Sequence, residues 1–90
     1  MRGIIEAMAR PALQLARPSG AVPGSYRRIW PQVVSVLMTD RSWRLLHALG
    51  WVRDTSGGWR ILLEWYADQP ERTQREDWYA YDPGRIRLVR

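Results

Sequence analysis

From Gly57 to Trp65 apolar and polar side chains take turns. Trp59, Ile61, Leu63 and Trp65 occupy every second position, with Arg60 and Glu64 between them. A period of two is the signature of a strand with one buried face. Ser56-Gly57-Gly58 immediately before it reads as a turn. The pattern predicts a central antiparallel strand with Trp59 and Trp65 in the core and Arg60 and Glu64 in water.

The neighbouring segments extend this strand into a sheet. Trp51–Asp54, a turn over residues 55–58, and residues 59–67 form a hairpin with a Gly-containing loop of ordinary length. Asp68 to Arg75 is polar, carries Pro70, and reads as a longer loop. Glu76 to Tyr81 alternates again and is expected to pair with the central strand. Asp82-Pro83-Gly84 is a turn, and Arg85–Val89 a final strand with Ile86 and Leu88 inward and Arg85 and Arg87 outward.

Two runs are less decided by their pattern. Residues 29–38 are densely apolar, and the β-branched Val33, Val34 and Val36 favour a strand over Val33–Met38. Trp43–Leu49 reads as a short helix: Ser42 suits the N-cap and Gly50 the C′ position, Leu45 and Leu49 are four apart, and Ala, Leu and Arg favour helix locally. As a strand, the same run would place Trp43, Leu45, His47, Leu49 and Trp51 on one face.

Residues 1–24 contain Pro11, Pro18, Pro23, Gly20 and Gly24 and read as a flexible basic arm. A helical turn or two around Ile4–Arg10 is limited by Pro11, and a linker follows over residues 17–24. An over-extended start would give the same look.

The fold class that follows is α+β leaning all-β. A small antiparallel meander of three to five strands with one or two short helices forms a single domain over residues 25–90. With strands in both undecided runs the count reaches five and an SH3-like barrel is natural. With helices in both, the order of elements resembles a truncated winged helix whose wing is Trp51–Trp65. That fold needs a third helix and has no use for two strands after the wing.

Composition narrows the function. Ninety residues make one small core, for which six Trp and four Tyr supply bulk. That offsets a mean hydropathy of −0.43. The absence of Cys excludes disulfides, thiolate metal sites and a cysteine nucleophile, and the lone His47 excludes a multi-histidine site within one chain. No apolar run is long enough for a secretory core or a membrane span, so a cytoplasmic chain is expected.

The net charge of +5 invites a nucleic-acid partner. Every basic residue is Arg, with no Lys, Asn or Phe, a bias that a GC-rich genome produces unaided. The excess lies at the N-terminal end: residues 1–39 hold five Arg against Glu6, and residues 40–90 nine Arg against eight acids.

Nothing in the spacing of residues points to catalysis. Glu76 and Asp77 would face opposite ways in a strand, and Glu64 stands alone, closer in character to a cross-strand partner of Arg53. His47 forms no triad frame with Ser42 or Ser56, and Gly57-Gly58 has no following Lys for a phosphate loop.

The expectation is therefore a non-catalytic binding module without cofactor or metal. It contacts nucleic acid through Arg10, Arg17, Arg27 and Arg28 of the basic N-terminal stretch and through a sheet face of Tyr79, Tyr81, Arg85 and Arg87. The alternative is a protein-interaction module or accessory subunit that oligomerises through a sheet edge. Loss of residues 1–24 should weaken the first activity and spare the second.

Overall fold

The computed structural model describes residues 9–25, 27–67 and 73–89, without the side chains of residues 28–30, 67 and 73. The helical turn expected around Ile4–Arg10 and most of the loop over Asp68–Arg75 lie outside these residues. Five strands form one antiparallel sheet: β1 (Arg27–Leu37), β2 (Trp43–Arg53), β3 (Trp59–Ala67), β4 (Thr73–Ala80) and β5 (Ile86–Leu88). Their order across the sheet is β4-β3-β2-β1-β5. No helix occurs among the described residues, and none there is long and apolar enough to cross a membrane.

The strand over Val33–Met38 and the hairpin around Gly57-Gly58 are as expected. Both glycines adopt positive φ, 103° and 81°, which the tight reversal between β2 and β3 requires. The short helix expected over Trp43–Leu49 is instead the first half of β2, and with it the winged-helix alternative falls. Local propensity loses here to two ladders, because Trp43–Arg53 pairs with β1 along one side and β3 along the other. Leu46 and Ala48 then face inward with the core, while Leu45 and His47 face out. Ser42 caps no helix: its N–H and hydroxyl both donate to Asp40 in the β1–β2 turn. Gly50, expected to end the helix, sits beside a bulge where the register shifts between Ala48 and Gly50.

The inner face of the sheet carries the core: Val34 and Val36 of β1, Leu46 and Ala48 of β2, Ile61, Leu63 and Trp65 of β3, Tyr79 of β4 and Ile86 of β5. Trp65 is buried as expected, and Trp59 is not. Trp59 pairs with Arg53 at the mouth of the hairpin, where the inner face runs out of neighbours, and stays 44% exposed. Trp65→Ala should therefore cost roughly 3–5 kcal/mol of stability and Trp59→Ala about 1 kcal/mol or less. Urea unfolding of the two variants checks this, and equal losses would contradict the assignment.

The outer face is not the solvated one expected. Leu62 and Val52 are buried there. Arg60 is bound to Asp54 at 3.1 Å, and Glu64 meets His47 and Gln74 in place of Arg53. The cover comes from the segment expected to be a free linker. Residues 9–25 are tied to the sheet at three places. Beside β1, Ala12 N–H donates to Leu37 and Thr39 N–H to Arg10. On the free edge of β4, Ala16 N–H donates to Trp78 and Ala80 N–H to Gln14. At the end of β2, Val22 N–H donates to Arg53 and Thr55 N–H to Gly20. Between the second and third ties the chain crosses the outer face, with Pro18 bordering Leu62 and Trp78.

Asp54 anchors the crossing. Its carboxylate, 2% exposed, accepts the N–H groups of Ser19 and Gly20 and the hydroxyls of Ser19 and Ser56 as well as the Arg60 guanidinium. The Ser56 hydroxyl above all, with the Gly20 and Ser19 donors, holds this carboxyl well below the ordinary carboxylate range against the opposing effect of burial. The fit is close: a side chain at Gly20 would stand 2.8 Å from the Thr55 hydroxyl.

Candidate functional site

The arm covers one end of the outer face and leaves the other bare. At the bare end three strands contribute side chains to one surface. Trp43, Leu45 and His47 project from β2, Val33 from β1 and Arg87 from β5. Pairing sets their spacing: Val33 lies opposite His47, Ser35 opposite Leu45 on one side and Arg87 on the other, and Leu37 opposite Trp43. Leu45 is 67% exposed. The Arg87 guanidinium lies 4.0 Å from the centroid of the Trp43 ring, a cation–π stack. Tyr66 of β3 shares the face and is also exposed.

Two acids near this surface have partners, and a third, Glu76, lies exposed opposite Glu64 on β4. Asp40 accepts from Ser42 and pairs with Arg44, and its carboxyl is held below its ordinary value chiefly by the Ser42 hydroxyl. Glu64 faces His47 Nδ1 at 3.4 Å and accepts from Gln74.

The Arg/Tyr face expected from the sequence does not form. β5 pairs with β1, so β4 and β5 lie at opposite ends of the sheet order. The alternation in β4 also runs the other way: Tyr79 pairs with Ile61 and is buried in the core at 3% exposure, while Trp78 and Ala80 take the outer face. Trp-Tyr-Ala-Tyr offers an aromatic ring at either parity, so the sequence pattern does not choose between them. Tyr81 is half-buried with its ring edge-on to Trp51, centroids 5.2 Å apart.

Of the expected arginines whose side chains are described, Arg87 alone stands in the bare outer surface. Arg10, Arg17 and Arg27 are exposed at separate places along the arm and the start of β1. Arg28 lies in β1, with its side chain outside the described residues. Arg85 is in the turn before β5, donating to the Ala12 carbonyl and facing Asp82. The residues missed, Trp43, Leu45 and His47, are those of the strand alternative for this run. Its grouping holds as far as the bulge, after which Trp51 turns inward.

A second concavity lies on the inner side, between the arm and the β3–β4 end of the sheet. It is a cleft of about 790 Å³ bordered by Arg10 and Leu13 of the arm and by Trp65, Arg75, Asp77 and Tyr79 of the sheet. Trp65 Nε1–H donates to Asp77 Oδ2 at 3.3 Å. Burial, and then the Asp77 carboxylate, pushes the Tyr79 phenol up to about 12. Among the described residues no group of three or more His, Asp or Glu side chains is placed to hold a metal ion. Comparison with protein-family models, with curated proteins and with solved structures gives no match.

Proposed function

We propose that this chain is a non-catalytic binding module that takes single-stranded nucleic acid on the bare half of its outer sheet face. The observation that carries the proposal is the Trp43 ring, exposed on the sheet surface beneath an arginine and flanked by Leu45, His47 and Val33. Rings on a sheet stack with bases of any sequence; here a base would take the place of the Arg87 guanidinium over the ring, and the displaced guanidinium would meet the phosphate. The net charge of +5 supplies long-range attraction, Asp40 is paired with Arg44, and Glu64 and the exposed Glu76 opposite it are the acids that oppose a phosphate locally. A cytoplasmic setting, where single strands are accessible, belongs to the same proposal. The arm's bonds to both β1 and β4 support a barrel-like reading of the sheet, the SH3-like one among the expectations.

Fluorescence anisotropy with a short labelled oligothymidine or oligouridine at low salt tests the proposal. Trp43→Ser should weaken binding by about tenfold or more, the worth of one stacked base. Arg87→Gln should reduce the dependence on salt by about 0.7 in the log–log slope. Absence of saturable binding by the intact chain, or binding untouched by both substitutions in a folded protein, would overturn it.

Association with a protein, including a second copy, is the other reading, and the observation favouring it is Leu45 together with the exposed Leu88 and Val89 at the short β5 edge. Light scattering on the eluting protein separates the two: a stable dimer lost on Leu45→Glu supports association, and a monomer at all concentrations counts against self-association.

A further inference from the structure

We infer that the inner cleft beneath the arm is a second binding site, for a small amphipathic anion with an aromatic or short acyl body and one carboxylate, sulfate or phosphate head. It lies on the opposite face of the sheet from Trp43 and does not depend on the nucleic-acid proposal.

Three features specify the ligand. The first is size, because about 790 Å³ falls within the range of small-molecule sites. The second is an apolar floor, in which Trp65 and Tyr79 are fixed by the core and Leu13 closes over them from the arm. The third is charge. Arg10 and Arg75 border the cleft, and neither enters an ion pair among the described residues. Arg85 also reaches the rim but is held by Ala12 and Asp82.

Among the described residues the single acid in the lining is Asp77, and it is turned to the protein. It accepts the Trp65 indole N–H and faces the Tyr79 phenol. It thereby fixes the two rings of the floor, while the unpaired guanidinium groups are left for the ligand. An apolar body on the rings places its head between Arg10 and Arg75, one from the arm and one from β4. A guanidinium grips such a head through charge-assisted hydrogen bonds.

Naphthalene-2-carboxylate and its neutral counterpart 2-naphthylmethanol are the probes. Titrated into the full-length protein, the carboxylate should bind saturably at one site and shift the amide signals of Asp77 and Tyr79 and the Trp65 indole signal. The alcohol should bind about tenfold more weakly. Arg10→Gln with Arg75→Gln should weaken the carboxylate by about tenfold or more and leave the alcohol unchanged, whereas Arg87→Gln on the other face should change neither. No saturable binding of the carboxylate, equal binding of acid and alcohol, or shifts confined to residues outside the cleft would each overturn the inference. The shifts are read on the unaltered chain, so they decide the matter even where the double variant is poorly folded.

Discussion

Removing residues 1–24 is expected to lower the melting temperature by at least about 15 °C, or to abolish the cooperative transition. The arm covers Leu62 and Val52 on the outer face. Re-exposing two such side chains costs about 1.5–3 kcal/mol each, against a total stability of roughly 5–15 kcal/mol for a small domain. Each kcal/mol is worth about 4–8 °C at this size. The truncation also frees the β4 edge at Trp78 and Ala80 and takes Ser19 and Gly20 from Asp54. Entropy regained by the freed arm offsets part of the loss. Circular dichroism melts of the two chains provide the check, and a truncated chain that melts like the full one would show that the arm is an ornament. Truncation therefore does not separate nucleic-acid binding from protein association, since it disturbs the sheet that both would use. The point substitutions at Trp43, Arg87 and Leu45 do separate them.

The second large effect is expected at Asp54. Asp54→Ala should lower the melting temperature at neutral pH by roughly 10–15 °C, because five donors from three segments lose their common acceptor and the Arg60 guanidinium is left partly buried without its counter-charge. Asp54→Asn, which keeps the shape and one acceptor oxygen, should lose about half as much. The dependence on pH carries the sign. The carboxyl is held below its ordinary value of 3.8 in the folded protein, so its ionised form favours folding. That contribution is complete above pH 4 and disappears as the pH falls further. The difference in melting temperature between the native chain and Asp54→Asn should thus be constant from pH 7 to about 5 and shrink below about 4. Asp40 is lowered too, but it is present in both chains and drops out of the difference. A gap that persists undiminished at low pH would mean that the Asp54 charge contributes nothing.

The strands that alternate cleanly were legible in the sequence. Ile61, Leu63 and Trp65 had only one arrangement that buried them together, and Gly57-Gly58 fixed where the chain turned. Trp43–Leu49 was not legible in the same way, because its spacing satisfies a helix and a strand equally and the decision comes from β1 and β3 on either side. The parity of β4 was hidden for a related reason: only its register with β3 sends Tyr79 inward. The arm was the largest miss. Its prolines and glycines read as a linker, and in the fold they serve a chain that must bend three times to reach β1, β4 and β2 in turn. What holds it is the Asp54 carboxylate, about 35 residues away in sequence, and no local pattern reveals a partner at that distance. The bare outer surface was half visible, in the strand alternative that grouped Trp43 with Leu45 and His47.

The arm also sets a timetable for folding. It is the first part of the described chain to be synthesised, yet its partners Trp78, Ala80 and Arg85 are among the last, and the Ala12–Arg85 bond spans 73 residues. Such distant pairings are slow to form. A nascent chain stalled before residue 78 would have the arm's ties to β1 and β2 within reach but not those to β4, so the crossing is fastened at both sides only once β4 is made.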